Sequence, residues 1–256
     1  MSLLIVDALN VIRRIYEAIP TPDSPEKVES TVKSCLQSFR RALRDHQPTH
    51  ACVVFDHPGS TWKNDLYPAY QAHRKPMPEC LRDGLVVIKQ ELIAMKLNWI
   101  CIEGIEADDA IAALAQRWCK STSQHATILS TDKDFLQLLS GQVFVYDHFK
   151  SAMRDDAYVM EKFGVSPDQM GDFLALMGDA ADGIPGVDKI GKKTAAELLR
   201  IHGTLERVLS NADKVAGQAG VNLRKGIEMA KLSRQLVSFK TDVPLGLTWK
   251  MLAVNG

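Results

Sequence analysis

Apolar residues gather along the chain in short, nearly solid runs, and each run ends on an acid. Residues 3–6, 51–55, 99–102, 126–129 and 143–146 are such runs; Asp7, Asp56, the turn carrying Glu106, Asp108 and Asp109, the pair Asp132 and Asp134, and Asp147 follow them. Runs of four or five residues are the length of buried strands. Between them the spacing becomes helical. Val28, Val32, Cys35, Leu36, Phe39 and Leu43 predict a helix over 25–46, Leu81, Leu85, Ile88, Leu92 and Met95 one over about 78–97, and Ala110, Ile111 and Leu114 begin another after Asp109.

Buried strands alternating with helices indicate an α/β fold, a mostly parallel sheet covered on both faces. Ligands of such sheets bind beyond the carboxyl ends of the strands, where Asp7, Asp56, Glu106, Asp108, Asp109, Asp132 and Asp134 fall. A single strand-terminal aspartate is ordinarily a turn residue or a helix cap, and acids in a first helical turn are favoured by the dipole. Four such positions in one sheet are harder to explain that way. Two like charges about 4 Å apart cost about 4 kcal/mol at an effective dielectric near 20, so a cleft holding this many carboxylates must take up protons or cations. Oxygen ligands without His or Cys suit a hard ion, Mg²⁺ with Mn²⁺ as substitute. Two such ions are a known arrangement for displacement at phosphorus, which suggests metal-dependent phosphodiester hydrolysis.

The chain's 256 residues, 46% hydrophobic, suffice for one large or two smaller domains. No run approaches the roughly 20 apolar residues that span a bilayer. The apolar start lacks a basic leader and contains Asp7, so a cytoplasmic protein is expected. Cys35, Cys52, Cys80, Cys101 and Cys119 form no CxxC pair and predict reduced thiols without a zinc site. Basic and acidic residues balance at 31 each, yet residues 183–240 carry 11 basic against 5 acidic. One half suits phosphate, the other cations.

Residues 57–78 interrupt the α/β pattern with Trp62, Lys63, Tyr67, Tyr70, His73, Arg74 and Lys75 among four prolines. Basic and aromatic side chains interleaved beside the carboxylate edge would suit a single strand of nucleic acid; an ordinary surface loop with anchoring aromatics is the alternative. Past Val165, a helix over 167–177 precedes GDAADGIPGVDKIGKKT and a helix over 195–201. A glycine-rich hairpin between helices brings bare backbone close to a partner. Amides at the start of the second helix, with Lys189, Lys192 and Lys193, suit a phosphate, and inward hairpin carbonyls suit a monovalent cation.

In order along the chain, LLIVDALN, ACVVFD, YQAHRKPMPE, EGIEADDA, STDKDFLQLL and GDAADGIPGVDKIGKKTAAELL resemble the 5′-nuclease family, the flap endonucleases and the 5′-nuclease domain of bacterial DNA polymerase I. The resemblance implies a PIN-like nuclease core over 1–165, with an arch insertion at about 57–78, and a helical helix-hairpin-helix (H3TH) domain over 166–256. It implies a first Mg²⁺ held by Asp7, Asp56, Glu106 and Asp108, with Asp109 beside it, and a second by Asp132, Asp134, Asp179 and Asp182. Arg14 matches an arginine near the scissile phosphate. Lys63, Tyr70, Gln71, Arg74 and Lys75 fall on the arch, and Gln71 replaces the lysine many relatives carry, so a restored lysine is expected to raise cleavage. Main-chain oxygens of Leu176, Met177, Pro185, Val187 and Ile190 match a K⁺ site. Lys189, Ile190, Gly191, Lys192, Lys193 and Thr194 match duplex contacts.

The expected function is structure-specific hydrolysis of 5′ flaps on branched duplex DNA by a monomer, without a small-molecule cofactor. The alternative is a weakly catalytic branched-DNA binder on the same fold. A phosphatase of the DxD type is disfavoured, because Asp7-Ala8-Leu9 lacks the second aspartate.

Overall fold

β1 (Ser2–Asp7) is buried from Leu3 onward and forms the centre of the sheet. The computed structural model describes residues 1–254. After β1 come α1 (Ala8–Ala18), α2 (Pro25–His46), β2 (His50–Val54), α3 (Trp62–Leu66), α4 (Glu79–Ala94), β3 (Trp99–Ile100), α5 (Ala107–Thr122), β4 (His125–Leu129), β5 (Val143–Asp147) and β6 (Ala152–Met153). The strands stand in the order β3-β2-β1-β4-β5-β6, parallel except for β6.

Strand alternation divides the core. Leu3 and Ile5 face α5 with Cys52, Val54 and Ile128, whereas Leu4 and Val6 pack with Ala51, Val53 and Phe39 beneath α1, α2 and α4. Each fully buried apolar side chain of this size contributes about 1.5–3 kcal/mol. Val6 is level with Val53 on one neighbour and Leu129 on the other. The three central strands therefore release their acids at one edge.

The second half is helical: α6 (Asp156–Phe163), α7 (Met170–Met177), α8 (Lys192–His202), α9 (Leu205–Ser210), α10 (Gly217–Lys225) and α11 (Ile227–Val237). Its core is continuous with that of the sheet, since Phe135, Phe173, Leu176, Val187 and Leu236 join the cluster containing Leu3 and Trp118. The chain also returns to the sheet near its end. Trp249 packs edge-on against Trp118 at 5.3 Å, and Val254 N–H donates to Thr49 O at 3.0 Å.

Several elements differ from the sequence expectation. The apolar pattern gave no helix after Asp7, yet α1 begins there, with the Asp7 carboxylate accepting from Asn10 N–H as its cap. The strand expected over 99–102 pairs only at Trp99 and Ile100, because the chain turns away toward Gly104, whose φ is 70°. The helix expected over 167–177 splits into a 3₁₀ turn, Pro167–Gln169, and α7. The five cysteines are free thiols. Among the described residues no helix is long and apolar enough to cross a membrane.

Candidate active site

Four acids come from the strand ends and the first turn of α5. Asp7 closes β1; its Oδ2 accepts from Ser130 Oγ at 2.8 Å, so the turn after β4 orients the end of β1. Asp56 follows β2 and its Oδ1 accepts from Ala107 N–H at 2.9 Å, tying it to the start of α5. Asp108 lies in that first turn, and Asp132 follows β4 with its Oδ1 accepting from Asp134 N–H at 2.9 Å. Together they line a groove of about 1140 Å³ that Arg13, Arg14, Arg74, Arg82 and Lys89 also line.

Their electrostatics are those of crowded carboxylates. Burial, then Asp56 and Asp132, pushes Asp7 up to about 7, against the pull of its Ser130 hydrogen bond. Burial, then Asp132 and Asp7, holds Asp108 well above the usual carboxylate range. Asp134 is raised by burial and then by Asp132, and its Oδ1 is buried without a hydrogen-bond partner. An orphaned, buried carboxylate oxygen among repelling neighbours is a place where a cation fits.

Three further acids are held by bases. Lys63 Nζ lies 2.9 Å from Glu106 Oε2, Arg74 pairs with Asp182, and Lys133 pairs with Asp179. Glu106 also accepts from Thr61 Oγ1 at 3.0 Å and Tyr70 Oη at 3.2 Å. In this arrangement no three His, Cys, Asp or Glu side chains among the described residues are close enough together to cage an ion. An ion held by Glu106, Asp179 or Asp182 has to compete with these bases.

Some expected site residues lie elsewhere. Asp109 turns from the groove: its Oδ2 accepts from Trp62 Nε1 at 2.6 Å and its Oδ1 from Lys240 N–H at 2.7 Å, so packing, not the rim, uses both oxygens. Lys63 and Tyr70, expected to face nucleic acid, are only 2% and 3% exposed. Burial opposes the charge of Lys63, but Glu106 and Asp108 outweigh it and raise its pKa. Arg14 reaches the groove with its guanidinium 4.8 Å from the centre of the Phe149 ring. Lys75 is exposed.

The hairpin between α7 and α8 is closed by reciprocal hydrogen bonds of Asp179 and Ile184, 2.8 Å each way. Gly178 and Gly186, φ 78° and 63°, make the close approach possible: a Cβ on Gly186 would lie 2.3 Å from Gly178 N. Leu176 O and Val187 O accept from Val187 N–H and Ile190 N–H. Lys189, Gly191, Lys192 and Lys193 are exposed and Thr194 half-buried beside them, whereas the Ile190 side chain is buried, leaving only its backbone to meet a partner.

Sequence reading passed over Ser130, Thr61, Lys133 and Arg13. Ser130 and Lys133 lie inside the STDKD run, beside acids that were singled out; Thr61 and Arg13 carry no comparable local signal.

Fold and rim define a class: an α/β protein with acids gathered beyond its strand ends, joined to a helical half with a basic hairpin. The chain belongs to the 5′-3′ exonuclease family. Residues 2–164 match its N-terminal resolvase-like domain and residues 165–256 its C-terminal SAM fold. The protein named flap endonuclease Xni from Shewanella baltica (strain OS195) is 40% identical over 247 residues, spanning 96% of this chain and 92% of that protein. T5 5′-exonuclease with bound zinc superposes with a TM-score of 0.76 at 23% identity, over 93% of this chain and 89% of that one. A T5 D15 flap endonuclease pseudo-enzyme-product complex with DNA and metal ions gives 0.76 at 22% identity over the same shares. At such identities these structures establish the fold.

Proposed function

We propose that the protein is a divalent-metal-dependent, structure-specific 5′-nuclease that hydrolyses phosphodiester bonds at 5′ flaps on duplex DNA. The observation carrying this is the rim of Asp7, Asp108 and Asp134, each held above the ordinary carboxylate range by burial and by one another or by Asp132, with an orphaned oxygen on Asp134. The flap endonuclease relative and the T5 complex with DNA and metal ions support the same reading.

Asp7, Asp56, Glu106 and Asp108 would hold one Mg²⁺, and Asp132, Asp134, Asp179 and Asp182 a second. Bound there, the ions lower the pKa of a water and neutralise charge on the phosphate. Ser130, Asn10 and Ala107 N–H hold the acids in place. Arg13, Arg14 and Arg74 line the groove and suit a phosphate at the cut. Lys189, Lys192 and Lys193 flank the start of α8, whose cap Gly191 makes no side-chain cap bond, so its first amides can meet duplex phosphate. A K⁺ on the carbonyls of Leu176, Met177, Pro185, Val187 and Ile190 would brace the hairpin. The close backbone approach at Gly178 and Gly186 supports it.

Labelled flap, nicked and blunt duplexes incubated with and without Mg²⁺ test the proposal. A Mg²⁺-dependent product at the flap junction is expected. Tight junction binding without products would instead identify a branched-DNA binder.

A further inference from the structure

We infer that Gln71 is a positioning residue: its neutral amide ties Asp182 of the hairpin to Tyr70 and, through it, to Glu106 of the rim, aiming the Asp182 carboxylate without adding a second positive charge beside Arg74. This rests on the nuclease reading above.

The amide has two hydrogens, and Nε2 has two acceptors, Tyr70 Oη at 2.9 Å and Asp182 Oδ1 at 3.2 Å. Tyr70 Oη donates onward to Glu106 Oε2 at 3.2 Å. Gln71 and Tyr70 together thus join an acid at the start of α5 to an acid of the hairpin. The backbone repeats the tie, with Gln71 N–H donating to Asp182 O at 2.8 Å. Gln71 has φ 53°, a left-handed conformation that a glutamine holds only where its surroundings over-determine it. Here the backbone and side-chain bonds of Gln71 to Asp182 and Tyr70 hold it.

Charge explains why an amide suits the position. Asp182 already faces Arg74. A lysine at position 71 could donate the same hydrogen bond, but its ammonium would add a second positive charge on the carboxylate and repel an arriving divalent ion. The amide orients without neutralising. This reverses the expectation from sequence, in which a lysine at 71 raises cleavage.

The test is calorimetric titration of Mn²⁺ into the full chain without DNA, for wild type, Gln71→Leu, Gln71→Lys and Asp182→Asn, with thermal melting to confirm that each folds. Gln71→Leu should weaken the site that Asp182→Asn weakens by about tenfold, the scale for losing a partner that orients a metal ligand. Gln71→Lys should weaken it at least as much. In flap cleavage the deficit should appear in the metal concentration giving half the maximal rate, with KM for DNA unchanged. If Asp182→Asn weakens Mn²⁺ binding while both Gln71 variants bind as wild type, the inference is overturned and the metal reading survives. If Asp182→Asn binds as wild type, the assignment of Asp182 to an ion falls and takes the inference with it.

Discussion

Lys63 Nζ and Glu106 Oε2 meet at 2.9 Å with side chains 3% and 9% exposed, an ion pair sealed between the insertion and the start of α5. Such a pair adds little over an apolar contact, yet removing one partner leaves a buried charge uncompensated. Lys63→Met should therefore lower the stability of the metal-free chain by about 3–5 kcal/mol, read from the urea midpoint at constant m-value. A phosphate-contacting Lys63 would instead leave stability unchanged and weaken DNA binding.

The rim should make stability depend on pH. Asp7 rises from 3.8 to about 7 in the folded chain, so its contribution to stability is fully present below 3.8 and lost as pH rises through about 7. The melting temperature of the metal-free protein should fall across that window. Asp132→Asn removes a repelling charge but keeps the oxygen that accepts from Asp134 N–H. Above pH 7 it should raise metal-free stability by about 1 kcal/mol, the scale of one pKa unit, while abolishing flap cleavage and sparing DNA binding. Equal melting curves for variant and wild type would remove the repulsion argument.

Asp109→Ala should behave as a packing defect. Nε1 of the half-buried Trp62 and the N–H of the exposed Lys240 would each lose an acceptor, at about 1 kcal/mol for each hydrogen bond lost. Mn²⁺ affinity of the folded fraction should match wild type. A weakened ion site with normal stability would return Asp109 to the metal ligands.

Gly186→Ala should disrupt the hairpin, because its Cβ would enter the backbone of Gly178 and its φ of 63° disfavours a side chain. Duplex binding should drop sharply while Mn²⁺ still binds at Asp7 and Asp108. Mobility shifts on blunt duplex, beside calorimetry, check both halves of this expectation.

Lys192→Ala and Lys193→Ala should weaken duplex binding uniformly across sequences. Each should reduce the slope of log affinity against log salt by about 1, with turnover at saturating DNA unchanged. Fluorescence anisotropy over a salt series measures it.

Much of the site was legible because its signals are local. The acids after 3–6, 51–55 and 126–129 reach one edge, as a parallel sheet requires. The glycine-rich run was legible as a hairpin between two helices, and the close approach of Gly178 and Gly186 within it came from the fold. The missing α1 was hidden because Asp7 served two roles, strand end and helix cap. Trp62, Lys63 and Tyr70 read as a nucleic-acid surface because composition carries no information about which way a loop folds.

The sequence alone determined the four main parallel strands, β1, β2, β4 and β5, that acids follow them, and that a basic hairpin comes later, since periodicity, run length and glycine spacing act within a few residues. Tertiary structure decided what each polar group faces. Asp109 turns to Trp62 and Lys240, Lys63 closes on Glu106, and Gln71 reaches Asp182 across 111 residues. Hydrogen bonds and ion pairs have ranges of a few ångströms, so their partners are fixed only once packing has brought distant segments together.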